Sequence, residues 1–376
     1  MSSFIPYGRQ WIKDDDIKAV IDVLKSDWLT TGPSIDAFEK AVAEFVGAQY
    51  SVAVSSGTAA LHTAMYAAGI KTGDEVIVPT MTFAATANAV VFQGGTAVFC
   101  DVDAETLLID PSLIEAKIGP KTKAIIAVDY AGQPCDYDIL REIADRNKLL
   151  LIADACHSIG ALYKGRKVGT LADLTVFSFH PVKHITTGEG GMVVTNNPEY
   201  SKRMKMFRNH GITLDHRQRA KNNTWFYEMV DLGYNYRITD FQCALGISQL
   251  KKLPAWINRR QKIASRYNQA FNSTSTIELL AVNSNVSHVY HLYVIKLCDI
   301  ERDKVFSSLR TAGIGANVHY IPVHLHPFYR KQFGTTQGLC PVAEASYKQI
   351  LSLPMFPAMT DEEVDIVISS VKKAVS

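Results

Sequence analysis

The sequence predicts an α/β fold, with a mainly parallel sheet covered by helices on both faces and a smaller α+β unit after it. Three observations predict this. From Tyr50 the chain runs in strand–turn–helix units, with short apolar runs such as AIIAV (124–128) and LLLIA (149–153) separated by helical stretches. After residue 198 it becomes more polar and helical, and its tail reads as helix and strand over roughly 100 residues, a sensible size for a second domain. With 376 residues and 47% hydrophobic content, it can also bury a large core. The expected division is a large domain over 1–253, whose N-terminal segment packs on the small domain, and a small domain over 254–376 that begins with a connector helix.

Residues 13–26 (KDDDIKAVIDVLKS) read as an amphipathic helix with acidic residues in its first turn, where the helix dipole favours them. Asp27, Trp28, Leu29 and Thr30 open a loop that is either a plain connection or a binding loop. A helix over 35–46 ends at Gly47. SVAV (51–54) is a buried strand, Ser55 to Thr58 a turn, and 59–69 a helix. Further strands are expected at 76–78, 97–100, 124–128, 149–153, 174–179 and 192–195, with a helix at 136–147. A loop rich in basic residues and Asn covers 213–224, and GYNYR (233–237) leads into a helix. A long helix over 254–272 precedes a strand at 291–297, a helix at 302–312, a strand near 315–319 and a last helix at 361–374. No internal repeat or low-complexity segment is present.

Composition excludes several function classes. A formal charge of +2 gives no global attraction to nucleic acid or membrane. Six cysteines stand singly, without CxxC, which fits reduced thiols in a cytoplasmic protein better than a disulfide scaffold or zinc site. No apolar run reaches the ~18 residues of a membrane span, and the N-terminus lacks a cleavable apolar segment.

In such sheets ligands sit beyond the carboxyl ends of the strands, so the residues that follow each strand carry the functional reading. The stretch 174–196 is central. An apolar strand delivers Ser178, His180 and Lys183 into a loop closed by Gly188, Glu189, Gly190 and Gly191, and a second apolar run follows. A lysine between apolar flanks can be desolvated and made nucleophilic, although most lysines are ordinary surface residues. Ser56, Gly57 and Thr58 at a helix start suit a phosphate, and equally suit plain helix capping. Asp154 ends a buried strand, where a carboxylate needs a partner; it is either a structural cap or ion pair, or the counter-charge of a cationic ring nitrogen. His157 and Phe83 could flank such a ring or simply belong to the core. Neither GxGxxG nor GxxxxGK[ST] occurs. A phosphate turn, a strand-end carboxylate, aromatic cover and a lysine are together the parts that hold pyridoxal phosphate.

With these residues in place, the sequence resembles the DegT/DnrJ/EryC1/StrS family of pyridoxal-phosphate-dependent nucleotide-sugar aminotransferases along essentially its whole length. The resemblance is carried by LTTGP (29–33), SSGTAAL (55–61), TFAATANAV (82–90), DYAGQPCD (129–136), DACHSIGA (154–161), SFHPVKHITTGEGG (178–191), FRNHG (207–211), GYNYRITDFQCALGISQL (233–250) and VHYIPVH (318–324). It implies the fold-type I, aspartate aminotransferase-like architecture, with Lys183 attaching the cofactor and moving protons and Asp154 pairing with the pyridine nitrogen. It further implies that Ser56, Gly57, Thr58 and Ser178 hold the phosphate and that Phe83 and His157 flank the ring. Asn235 would reach the cofactor phosphate of a neighbouring subunit, which implies a homodimer with shared active sites.

DYAGQPCD, HPVK with ITTGEGG, and VHYIPVH are similar to the subgroup that serves pseudaminic acid biosynthesis. That similarity implies a UDP-linked 2-acetamido-2,6-dideoxy-4-keto-L-arabino-hexose as acceptor and glutamate as donor, giving UDP-4-amino-4,6-dideoxy-N-acetyl-β-L-altrosamine. It assigns substrate contacts to Tyr7, Asp27 to Thr30 (Asp27, Trp28, Leu29, Thr30), His319, Tyr320, Ile321 and Pro322, with His180 and Arg237 as further candidates. His184 departs from the subgroup, which carries Pro there. His319, His324 and His326 lack the carboxylates or cysteines of a metal site and read as part of a substrate loop. Sugar 3-dehydratases of the family carry His in place of the lysine, and counting from Ser178 puts Lys183 at that position. The remaining rivals are a GDP- or dTDP-linked keto sugar as acceptor, and a non-catalytic nucleotide-sugar-binding regulator, which would most simply have lost Lys183 or Asp154.

Overall fold

The structure is a computed structural model and describes residues 4–376. Its strands are β1 (Tyr50–Val54), β2 (Glu75–Pro79), β3 (Thr96–Cys100), β4 (Thr122–Val128), β5 (Leu150–Asp154), β6 (Leu162–Tyr163), β7 (Arg166–Lys167), β8 (Leu174–Ser178), β9 (Gly191–Thr195), β10 (Ile277–Leu279), β11 (Val286–Ser287), β12 (Tyr293–Leu297) and β13 (Ile350–Leu353). Its helices are α1 (Asp14–Leu24), α2 (Pro33–Val46), α3 (Gly57–Ala67), α4 (Ala84–Phe92), α5 (Tyr137–Arg146), α6 (Pro198–Phe207), α7 (His216–Lys221), α8 (Asp240–Leu250), α9 (Leu253–Phe271), α10 (Arg302–Thr311), α11 (Pro327–Phe333), α12 (Pro341–Gln349) and α13 (Asp361–Val375).

Seven strands form the main sheet in the order β1-β9-β8-β5-β4-β2-β3. Neighbours are parallel except where β9 pairs with β1 and β8. The apolar strand runs have the physical reason expected of them. All five residues of β8 and all five of β9 are buried, so neither face could carry an alternating polar pattern. Helix α3 is buried from Ala59 to Ala67 and is built largely of small side chains, which lets it lie between the sheet and its neighbours α4 and α6. Helix ends follow ordinary chemistry. Ser56 caps α3 by accepting from the Ala59 amide, and Gly47 closes α2 in the left-handed conformation.

The sheet β10-β12-β13 organises the C-terminal part. One core cluster surrounds the main sheet. A second joins Ile263, Tyr267 and Phe271 of α9 to α10, α13 and this small sheet, and Ile5 belongs to it. We propose that the domain boundary lies at the start of α9, between residues 253 and 254. Val323, Tyr329, Cys340 and Ala343 bury against the first core, so part of the C-terminal third folds back over the large sheet.

Two elements differ from the sequence reading. Residues 315–319 form no strand: only isolated bridges occur there, Ile5 to Ile314 and Asn317 to Ser352. The third strand of the small sheet is β13, which takes the place beside β12 in antiparallel register, Tyr293 opposite Leu353. The loop expected at 213–224 contains α7, started by a capping box between Asp215 and Gln218.

Candidate active site

The loop from β8 to β9 places Lys183 on a cavity of about 520 Å³. Backbone bonds close this loop on itself: the Phe179 amide donates to Gly190 O at 2.8 Å and the Thr187 amide to Phe179 O at 3.0 Å. The lysine is half-buried and open toward the cavity. Burial lowers its proton affinity below that of a free lysine, and Cys156 and Asp154 partly oppose the shift.

Asp154 ends β5 beside β8, with Asp154 opposite Val176. It is 5% exposed, yet its partners are neutral. Thr86 of α4 donates its hydroxyl to Oδ2 at 2.6 Å, and the Cys156 amide donates to Oδ1 at 3.3 Å. Thr82 bonds Thr86 at 2.7 Å and orients it. A buried carboxylate without a bonded cation, aimed into a cavity, leaves its charge available to a cationic ligand.

Ser56, Gly57 and Thr58 line the same cavity at the start of α3, whose first amides have no intrahelical acceptor. Ser178 sits against them so closely that a Cβ at Gly57 would lie 2.8 Å from Ser178 Cβ and Oγ. Gly57→Ala is therefore expected to push Ser178 off the helix end and weaken cofactor binding about tenfold or more, a strain of roughly 1–3 kcal/mol. Equilibrium titration of cofactor-free protein with pyridoxal phosphate reads that loss.

Rings form the walls. Phe83, 60% exposed, stands at the mouth 6.0 Å from the Tyr320 ring. Tyr320 bonds His157 Nε2 at 3.2 Å through its hydroxyl, and Tyr7 lies 5.3 Å from the His319 ring. His319 Nδ1 is bonded to Ser352 Oγ at 2.8 Å. His180 also lines the cavity.

The structure thus brings together Lys183, Asp154, Ser56, Gly57, Thr58, Ser178, Phe83, His157, His180, Tyr7, His319 and Tyr320. It does not bring in Asn235, Arg237, Asp27, Trp28, Leu29, Thr30, Ile321 or Pro322. Trp28 rests 5.8 Å from His216, Thr30 bridges Thr239, Asn235 bridges Asn209, and Arg237 donates to Asn209 Oδ1 at 2.8 Å. Asp129 turns inward and accepts from Ser158, the Cys135 amide and Tyr137, so it braces the loops behind the site. His324 is held between Thr80 and Glu344.

Sequence reasoning missed Thr86 and His291 as site residues. Thr86 lies within the quoted TFAATANAV run, three residues after Phe83, but nothing in that run marks it as the partner of Asp154. His291, which lines the cavity 3.4 Å from the lysine amine, read only as the start of a strand.

The buried imidazoles set a pH dependence. Burial first of all depresses proton binding at His157, His184 and His291, at His62 and His319 to about 4, and at His288 to about 3. The unfolded chain protonates these six groups near pH 6.5, so as pH falls the unfolded state takes up protons that the fold refuses. Asp129 acts in the other direction: burial raises it to about 7, and the folded state gains stability as pH falls through that value. One carboxyl opposes six imidazoles, each contributing up to about 1.4 kcal/mol per pH unit. Calorimetry of cofactor-free protein should therefore show the melting temperature dropping steeply between pH 6.5 and 4.

Residues 10–372 match the DegT/DnrJ/EryC1/StrS aminotransferase family. The chain belongs to this family. Over 378 residues it is 41% identical to the spore coat polysaccharide biosynthesis protein SpsC of Bacillus subtilis, covering 99% of this chain and 97% of that protein. It is 33% identical to PseC of Helicobacter pylori, an aminotransferase of pseudaminic acid biosynthesis, with a TM-score of 0.93 and 99% of both chains covered. Spr1654 of Streptococcus pneumoniae, described as a sugar aminotransferase and solved in a PMP form, superimposes with a TM-score of 0.94 at 33% identity over 99% of both chains.

As a member of this family the protein is a sugar aminotransferase that uses pyridoxal phosphate, with the aspartate aminotransferase-like fold. The cavity fits that cofactor. It offers an amine, a carboxylate bonded only to neutral groups among the described residues, and a helix N-terminus packed on Ser178. No helix among the described residues is long and apolar enough to cross a membrane.

Proposed function

We propose that the protein transfers an amino group from glutamate to C4 of UDP-linked 2-acetamido-2,6-dideoxy-4-keto-L-arabino-hexose, the reaction that serves pseudaminic acid biosynthesis. One observation carries the reading. Tyr7, His319 and Tyr320, which match the substrate segments of that subgroup, meet Lys183 at one cavity. The likeness to PseC along the whole chain supports it.

In this reading Lys183 Nζ would attach the cofactor and, in each half-reaction, move a proton between the substrate carbon and the carbon of the cofactor that bears the amino group. When bound, pyridoxal phosphate supplies an electrophilic carbon and an electron-withdrawing ring that stabilises charge on the carbon losing its proton. Asp154 pairs with the ring nitrogen and keeps it cationic. Ser56, Gly57, Thr58 and Ser178 bind the phosphate, while Phe83 and His157 confine the ring. The strand-end position of Asp154 and the helix-end position of the SGT turn hold the two ends of one ligand at a set separation, which orients it against the amine.

The active form is a homodimer with shared sites. Trp225, Met229 and Leu232 are 84%, 67% and 69% exposed, an apolar run that a second copy would cover. Asn235, Arg237 and Asp27 to Thr30 lie on the same chain region or bridge to it, outside their own cavity, which supports contact with the partner's cofactor and substrate. A second reading, a different nucleotide keto sugar as acceptor, is kept because the chain is also 41% identical to a protein of spore coat polysaccharide biosynthesis.

Incubating the enzyme with glutamate and keto sugars that differ in nucleotide and C5 configuration tests the proposal. Turnover confined to the UDP-linked L-arabino sugar is expected. Turnover only of a GDP- or dTDP-linked sugar would overturn the assignment and leave the family intact.

A further inference from the structure

We propose that His291 is a positioning residue for Lys183: its Nε2–H donates to the lysine amine, directs it at the cavity and holds it in the neutral, nucleophilic form. The inference rests on the role proposed for Lys183 but not on the identity of the sugar.

Nζ and Nε2 lie 3.4 Å apart, and His291 is the one hydrogen-bond partner of this amine among the described residues. The tautomer follows from the other ring nitrogen. His291 Nδ1 is buried and has no partner among the described residues. A bare lone pair is easier to leave there than an unpaired N–H, so the proton belongs on Nε2. In that tautomer the ring donates to the lone pair of a neutral amine, whereas an ammonium would be left facing an N–H.

The surroundings keep His291 uncharged. His157 packs with its ring centroid 4.2 Å away, and His184 lies 5.6 Å away. Arg260 of α9 lies behind, 1% exposed and with no carboxylate partner among the described residues. The groups closest to His291 are basic, namely Lys183 and His184 of the β8–β9 loop, His157 after β5 and Arg260 of α9, while Asp154 and Cys156 at the end of β5 line the same cavity and favour charge on Lys183. A second positive charge beside the basic groups is disfavoured, and burial acts in the same direction.

The backbone that carries His291 is braced from three sides, as a positioning group requires. Arg260 Nη1 donates to the carbonyls of Tyr290 at 3.1 Å, His291 at 3.3 Å and Met355 at 2.9 Å. His184 Nε2 donates to Val289 O at 3.0 Å. The amides of Val289 and Leu292 bond Gly132 O and Ala131 O. Gly132 has φ +102°, and a Cβ there would come within 2.9 Å of the His291 nitrogen, so only glycine lets the segment pass this close. Tyr290, next to the histidine, is held at φ +47°, a left-handed conformation that the braces must enforce. His184, unexplained by the sequence, finds its use here: it ties the lysine loop to the histidine segment.

The test follows capture of free pyridoxal phosphate by cofactor-free protein, read as the growth of visible absorbance over a range of pH. No sugar is present, so a wrong substrate assignment leaves the result untouched; a Lys183→Ala control that still develops the absorbance would instead remove the role of Lys183. His291→Phe keeps the ring volume but cannot donate. Its pH midpoint for capture is expected to rise by about one unit, with capture at pH 7 slowed about tenfold. His291→Gln, whose amide can donate, is expected to keep a profile close to wild type. A His291→Phe profile that superimposes on wild type or shifts downward overturns the proposal. So does an equal shift in both variants, which would mark a packing effect. If the phenylalanine variant does not fold, His291→Leu carries the same expectations.

Discussion

Lys183→Ala is expected to abolish turnover, with kcat down by about 10³-fold or more, because one change would remove both roles proposed for this amine, covalent anchor and proton carrier. Three measurements check it: amino transfer to the keto sugar, the visible absorbance of the loaded protein, and the site of borohydride labelling, which should be Lys183 in the wild type and absent in the variant. The fold should survive. The amine is half-buried among His291, His157 and Cys156, and removing it relieves the desolvation that depresses its proton affinity. The cofactor-free variant should therefore melt no lower than wild type near neutral pH. Full activity in this variant would refute the mechanism.

Asp154→Asn should give the second largest effect. The amide is nearly isosteric: its Oδ1 can accept from the Cys156 amide and its Nδ2 can donate to Thr86 Oγ1, whose hydroxyl then turns toward Thr82, so geometry is preserved while the charge disappears. Without that charge nothing in the cavity holds a ring nitrogen cationic, and kcat is expected to fall by about 10²–10³-fold, the scale of losing one preorganised electrostatic partner. Stability should move in the opposite direction. A carboxylate that is 5% exposed and bonded only to neutral groups is costly, so the cofactor-free variant should gain about 1 kcal/mol. Lower activity with higher melting temperature is a pattern that simple unfolding cannot produce.

Much of the site was legible because its parts obey local rules. Ser56, Asp154 and Ser178 each stand at or just past the end of an apolar strand, Lys183 follows in the loop after β8, and in a parallel sheet such ends converge at one edge. Thr86 and His291 were not legible as site residues. Nothing near Thr86 in sequence shows that its hydroxyl reaches a carboxylate 68 positions away, and His291 lies 108 positions from Lys183. The false strand at 315–319 has a similar origin. Its pattern suits a strand, but the place beside β12 is taken by β13, and the segment instead turns His319 and Tyr320 toward the cavity.

Period and punctuation along the chain were thus enough for the α/β class, the order of most elements, and the placing of the Ser56 to Thr58 turn, the strand-end carboxylate and the lysine, because each depends on neighbours within a few residues. Three-dimensional contact decided which groups surround that lysine. The bond to His291, the brace from Arg260 across α9 and the tie from His184 to Val289 join segments that are remote in sequence. Bonds of this kind form only once the two cores have packed, so no local pattern encodes them.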